Sequence, residues 1–350
     1  ADDPEYLYYR VVHCNADWTP SGLSDVEYID GFNGLPVDDY SLSFNTYRNY
    51  VHYRIVLPNE EMRFRLSGNY AVLVYPEGNP DSLLFTACFS ITENLVALGC
   101  EITTRTDVDY NKAHQQLSFK VMYPRYEIRN PREELKVYVT TNVGYDDGVM
   151  VSQPLYVRNR ELEYAHTPQL VFPAGNEYRR FETVSRHYNT IGVESMRYFD
   201  PYYHAILKTD YPRVSGAYVY DETQNGHFYI RTDDSEEADT EADYFVVHFM
   251  LATGAPVEGE VYIDGEFTHG RLDETTRMTY NPETRVYEKD MLLKQGAYNY
   301  RYLLQRPGEK ADAAPIEGNF YETRNEYQIR VYHPQGARYD RLIGYTRCRM

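Results

Sequence analysis

Histidine, cysteine and carboxylate side chains are the groups best able to do chemistry in this sequence, and their spacing argues against it. The ten histidines, at 13, 52, 114, 166, 187, 204, 227, 248, 269 and 333, include no two at the close spacing that sets metal ligands on one face of an element. The cysteines, Cys14, Cys88, Cys100 and Cys348, form no C-x-x-C pair, so zinc ribbons and thioredoxin-like exchange find no support. Cys88 and Cys100 flank an expected hairpin centred near Asn94 and could face each other; free, buried thiols are the other reading. Glu60-Glu61 and Asp146-Asp147 are the closest approach to the paired carboxylates of glycoside hydrolysis. Neighbours along a strand point to opposite faces, so such doublets read as solvated turns. Phosphate loops, G-x-S-x-G, H-E-x-x-H and EF-hand loops are absent, and a Ser-His-Asp triad drawn from distant positions carries no information here. No catalytic residue, metal ligand or cofactor is selected.

Binding chemistry is better represented. The chain has 38 tyrosines, 14 phenylalanines and one tryptophan, and 28 of its 35 basic residues are arginine. Arginine interleaves with aromatics at Tyr123-Pro124-Arg125-Tyr126, Tyr178-Arg179-Arg180-Phe181 and Tyr300-Arg301-Tyr302. These residue types concentrate at protein interfaces, although arginine stems also cover exposed strand faces. A formal net charge of -18 excludes the broad basic face that a nucleic acid needs. No apolar run approaches the roughly 18 residues of a membrane helix, and mean hydropathy is -0.63.

The elements that must position these side chains are strands. Glycine (21) and proline (18) punctuate short segments of period-2 patterning. Leu117, Phe119 and Val121, then Val137 and Val139, then Tyr327, Ile329 and Val331 each alternate with more polar neighbours. Asn225-Gly226, between Tyr218–Tyr220 and Phe228–Ile230, predicts a tight hairpin. No apolar stripe holds helical spacing for three turns, so the expected class is all-β, with three consecutive immunoglobulin-like, early-set antiparallel β-sandwiches. A polar run at Thr104–Asn111 and the acidic stretch Asp233–Asp243, with seven carboxylates in eleven residues, suggest boundaries that give domains 1–106, 107–238 and 239–350. The acidic stretch lacks the ordered ligand spacing and tight Gly turn of a calcium loop and reads as a solvated linker. A start at Ala1, without methionine, is what a processed or trimmed exported protein would have.

Several unusual stretches together resemble one family along nearly the whole chain, the type IX secretion system plug proteins of Bacteroidota. They are Tyr9–Trp18 followed by Ser21, Glu27-Tyr28 and Gly31-Phe32, then Ser43–Thr46, His52-Tyr53 and Ser67–Tyr70. Asn130-Pro131, Ala174–Arg179 with Phe181, Asn225-Gly226, Glu241–Tyr244, Gly318–Thr323 and Tyr339–Tyr345 follow in order. The resemblance implies a periplasmic protein, associated with the inner face of the outer membrane, that is not an enzyme. It would dock on the periplasmic mouth of the giant SprA/Sov-type translocon barrel and close it when the cargo carrier is absent. Two departures stand out. Only Ala1–Tyr8 precede the His-Cys opening, so the first sandwich is expected to lack a strand or to be a trimmed product; and Gly144-Tyr145-Asp146-Asp147 lacks the tryptophan that the family more often has before the acid.

Residues 256–304 also resemble the early-set sandwich that binds glycogen and starch. Such modules hold glucans on tryptophan platforms, whereas Trp18 is the chain's one tryptophan, so this likeness reads as architecture. A carbohydrate-binding envelope protein remains the alternative function. Candidate interface residues, taken from the family-like stretches, are Asn15, Asp17, Trp18, Asn69, Tyr70, Gly175, Asn176, Glu177 and Arg179. The competing reading is fold maintenance, with Asn and Gly at turns, Trp18 in a core, and Glu177 ion-paired to Arg179 on one strand face.

Overall fold

Strand accounts for 45 % of the chain and helix for 5 %, which makes the class all-β. The computed structural model describes residues 3–143, 148–151 and 153–350. Asp146-Asp147 and the family departure at 144–147 lie outside them. In the first sandwich, strand Leu7–Cys14 pairs with Gly68–Pro76, flanked by Leu35–Pro36 and Phe85–Ile91. Alternation sends Tyr9, Val11, Tyr70, Val72 and Val74 into one core with Tyr28, Ile29 and Met62.

The second sandwich sets strand His114–Met122, with Ala97–Thr103, Glu161–Tyr164 and Val171–Pro173 around it, against Lys136–Thr141, Glu326–Gln335 and Tyr339–Arg349. The three alternating patterns legible in the sequence meet here: Leu117, Phe119, Val121, Val137, Val139, Tyr327, Ile329 and Val331 share one core. Val137 pairs with Val331 and Val139 with Ile329, so a strand from near the end of the chain lies against one from its middle.

The third sandwich fills the interval between. Arg179–Glu182, Phe228–Ile230 and Glu260–Asp264 flank Gly296–Gln305, facing a five-stranded sheet of Val193–Phe199, Tyr202–Leu207, Tyr244–Ala252, Val286–Lys294 and Thr279–Asn281. One pair in it, Tyr202–Leu207 with Tyr244–Ala252, is parallel and so departs from the antiparallel expectation.

These cores redraw the consecutive partition at 106/107 and 238/239. Ala97–Thr103 pairs with His114–Met122, so Thr104–Asn111 is a hairpin loop, closed by the Arg105–Tyr110 bridge, and not a boundary. The Asn94 region is no hairpin either: Phe85–Ile91 pairs with Gly68–Pro76, and the chain crosses at 92–96 into the second sandwich. Residues 174–325 form an insertion within the second sandwich, whose last two strands come from 326–349. The acidic stretch lies inside that insertion, where Asp243 is buried and the side chain of Asp234 is turned inward: both lie in salt-bridge range of Arg186, at 3.6 and 3.2 Å. Asn225 and Gly226 do adopt the positive φ of a turn, but Phe228–Ile230 pairs with Gly296–Gln305 and not with Tyr218–Tyr220.

Cys100 is bonded to Cys348, with Cα atoms 6.3 Å apart, so it neither faces Cys88 in a bond nor stays a free, buried thiol. The bond joins the two sheets of the second sandwich across 248 residues of sequence. Cys14 is free and buried, Cys88 free and exposed.

Candidate functional site

The nine candidate residues do not converge on one site. They divide between two joints, one holding the first sandwich to the second, the other at the base of the inserted third sandwich, where the chain crosses from the second and back.

At the first joint, the chain leaving Leu7–Cys14 turns over Asn15–Thr19. The Asn15 amide donates to the Thr19 carbonyl (2.8 Å), and Trp18 takes a left-handed φ of 64° and is half-buried, outside the apolar core. Asp17 is exposed and caps the turn by accepting from the Thr19 hydroxyl (2.6 Å), which holds its carboxyl below the usual range. Asn69 is fully buried and uses its whole amide: Nδ2 donates to the Asn15 carbonyl (2.9 Å), and Oδ1 accepts from the Ser90 hydroxyl (2.8 Å) and from Tyr332 of the second sandwich (2.9 Å). Tyr70 stacks on Phe89 and stands edge-on to His13, whose other edge-on neighbour is Tyr339. The Ala16 amide donates to Asp340 (3.0 Å), which is also paired with Lys136 (2.9 Å). A Cβ on Gly68 would meet His13 Nε2 at 2.5 Å and the Asp340 carbonyl oxygen at 3.2 Å, so this approach requires glycine. The buried part of the joint is made largely of neutral hydrogen bonds and rings, beside the Lys136–Asp340 pair, and Arg338 pairs with Glu27 (2.8 Å) at its more exposed rim.

The second joint is where the chain crosses twice, at 174–178 outward and 317–325 back. Gly175 donates its amide to Asn319 (2.8 Å), while its carbonyl accepts from the Phe320 amide (2.8 Å) and the Thr323 hydroxyl (3.0 Å). Asn176 donates to the Glu317 carbonyl (2.8 Å). Buried Glu177 accepts from the Tyr218 hydroxyl (2.7 Å) and the Arg324 amide (3.0 Å). Burial, reinforced by Glu177, pushes the Tyr218 phenol up.

The expected Glu177–Arg179 pair is therefore not formed. Arg179 instead pairs with Glu317 (3.0 Å) and Asp210 (2.7 Å) and lies over the Tyr302 ring. Glu317 also holds Arg213 (2.7 Å) and accepts from the Tyr302 amide (2.9 Å), and Asp210 accepts from the hydroxyls of Tyr300 (2.8 Å) and Tyr302 (2.7 Å). Burial opposes the Arg179 charge, but Glu317 and Asp210 outweigh it and hold the guanidinium protonated. Burial and then Asp210 raise both tyrosines, keeping them as neutral donors. Asp210, Arg213 and Glu317 were not legible in the sequence, since an isolated acid in a short segment gives no sign of burial. The family-like runs Ala174–Arg179 and Gly318–Thr323 were the available signal, and they meet here.

A cleft of about 690 Å³ opens beside this joint, lined by Asn142, Phe172, Gly175, Asn176, Asp264 and Arg301. Arg301 and Asp264 pair across part of it at 2.8 Å. Among the described residues, no group of three His, Cys, Asp or Glu is placed to hold a metal. His204, His248 and Asp290 form a hydrogen-bonded row (2.8 and 2.7 Å), with no hydroxyl or thiol bonded to it among the described residues. Glu60 and Glu61 are exposed, as solvated turn residues are.

Residues 1–93 match the family model for the type 9 secretion system plug protein 1st domain. A crystal structure of a hypothetical protein from Parabacteroides merdae is similar at 46 % sequence identity and a TM-score of 0.96, covering 100 % of this chain and 89 % of that one. No curated protein matches. With its first domain matching the plug model and its whole length shared with that relative, the chain belongs to the type 9 secretion system plug protein family.

Proposed function

We propose that the chain is a non-enzymatic periplasmic plug that docks on the periplasmic mouth of the SprA/Sov-type translocon barrel and closes it when the cargo carrier is absent. The match of residues 1–93 to the plug model carries this reading, and family membership implies a secretion-system partner and a periplasmic location. The two joints support it physically. A body that must seal an opening needs fixed relations between its parts, and buried hydrogen bonds between sandwiches, from Tyr332 to Asn69 and from Gln115 to the Tyr321 and Thr323 carbonyls, restrict the hinge motion that small polar interfaces permit. No helix of the described residues is long and apolar enough to cross a membrane.

The carbohydrate alternative draws no support from the early-set segment. Tyr262, Tyr287, Tyr298, Tyr300 and Tyr302 are buried in the core and offer no platform for a sugar.

The test is affinity purification of the tagged chain from the outer membrane of its native cells, with and without the cargo carrier. The barrel is expected to co-elute, most strongly when the carrier is missing. Its absence from both samples would sink the reading.

A further inference from the structure

A hairpin of the first sandwich, with strands Tyr40–Leu42 and Val51–Tyr53, reaches across to the third sandwich and presents its two faces the opposite way from ordinary sheets. Its covered face is polar. The Tyr50 hydroxyl donates to the Ala242 carbonyl (2.9 Å), Arg54 pairs with Asp239 (3.2 Å), and Lys294 sits 4.3 Å above the Tyr50 ring. At the tip, the Tyr47 amide donates to Asp243 (3.0 Å). These contacts fix the ribbon in place, although a two-stranded sheet is barely stable alone.

Its uncovered face is apolar. Tyr40, Leu42 and Phe44 alternate along one strand and its continuation at 47, 56 and 70 % exposure, and the cross-strand partners of Tyr40 and Leu42 are Tyr53 and Val51. Side chains alternate across a strand, so burial would place this apolar set inward and the Tyr50, His52 and Arg54 set outward. Here Tyr40, Leu42 and Phe44 face solvent, while Tyr50 and His52 are half-buried. An isolated exposed leucine needs no explanation, but three exposed apolar side chains in alternation on a braced ribbon, beside half-buried Val51 and Tyr53 and with no third strand next to it among the described residues, mark an interaction surface. One end of the ribbon is acidic: exposed Asp38 and Asp39 precede Tyr40, and exposed Glu5 is hydrogen-bonded through its backbone to the Tyr53 hydroxyl (2.6 Å). None of the three is in an ion pair among the described residues.

We propose that this ribbon is the surface through which the plug contacts its barrel, seating an apolar, extended segment of the barrel's periplasmic rim that carries basic residues where it passes Asp38, Asp39 and Glu5. The proposal rests on the plug reading and adds the contact face and the chemistry of the partner. Rigid aromatic and aliphatic anchors supply the contact, and unpaired acids at the rim supply orientation.

A photoreactive p-benzoylphenylalanine placed at position 44, and as a control at the equally exposed Val219 (74 %), tests it in native cells lacking the cargo carrier. The expected result is a cross-link from position 44 to the barrel, identified by mass spectrometry, and none from position 219. In parallel, the double variant Leu42→Ser/Phe44→Ser should lower barrel recovery at least tenfold while its melting temperature stays that of the parent, because both side chains are largely solvent-exposed. Undiminished recovery with that variant would overturn the ribbon assignment and leave the plug reading standing. An adduct of twice the chain's mass would identify a second copy as the occupant and overturn it too. If the parent chain recovers no barrel, the plug reading falls and this proposal with it.

Discussion

The two joints are held by different chemistry. Between the first and second sandwiches, a buried asparagine, a histidine and several aromatic rings meet the apolar side chains of Ala16 and Leu342, with the Arg338–Glu27 pair at the exposed rim. At the base of the third sandwich, and within it, buried Arg179 and Glu317 pair with the partly exposed Asp210 and Arg213. A buried ion network is weak evidence of net stability, since desolvation offsets much of the attraction, but it strongly penalises the loss of a single member. Neutral hydrogen bonds carry smaller stakes on both sides. The lesson is one of tolerance: the first joint should absorb substitutions that the second cannot.

The sharpest way to break that comparison is Glu317→Ala. It strands Arg179 and Arg213 beside Asp210 alone, and is expected to cost about 3–5 kcal/mol, read as a lowered urea midpoint. Asn69→Ala at the first joint leaves the Tyr332 and Ser90 hydroxyls and the Asn15 carbonyl without that partner, for about 1–3 kcal/mol in the same assay. Equal losses in the two variants would show that the charges of the second joint add nothing to its sensitivity.

The smallest effect concerns pH and belongs to the first joint. Burial depresses the His13 pKa, opposed by its hydrogen bond to the Ser67 carbonyl (3.1 Å) and by Asp340. His13 Nδ1 is buried with no hydrogen-bond partner. A folded pKa below the unfolded value of about 6.5 means that the unfolded chain takes up the proton first. Stability at this site is therefore full above that pH and declines as pH falls through 6.5 towards the depressed folded value, where the loss levels off. His204 and His333 are also depressed, so the measurement is the difference between parent and His13→Gln. The variant is expected to flatten part of the acid decline; identical pH profiles would remove His13 from the account.

Period-2 patterning carried the class and much of the second core because it reports which face of a strand is apolar, and Leu117, Phe119, Val121, Ile329 and Val331 obeyed it. It carried no information on which strands pair. Nothing local in Glu326–Gln335 says that it returns to Lys136–Thr141 across an intervening sandwich, and so the boundaries fell in the wrong places. Polarity misled for the same reason: Thr104–Asn111 and Asp233–Asp243 look solvated, yet one is a hairpin loop and the other sends Asp234 and Asp243 inward to Arg186. Of the candidate residues, Asn69 reaches across the first joint, while Gly175, Asn176, Glu177 and Arg179 hold the base of the third sandwich. Their partners, Tyr332, Asn319 and Glu317, come from distant sequence that only the fold brings near.

The return of the last two strands also sets an order on the chain's own making. The first sandwich has all its core residues once position 91 has emerged, whereas the second lacks half of one sheet until 326–349 follow, and Cys100 cannot meet Cys348 before then. For that whole interval, strand Lys136–Thr141 has no neighbour on the side that Glu326–Gln335 will occupy, and the third sandwich must take shape between two halves of an unfinished one. The strands that close the middle of the molecule are thus made only after the whole of the third sandwich.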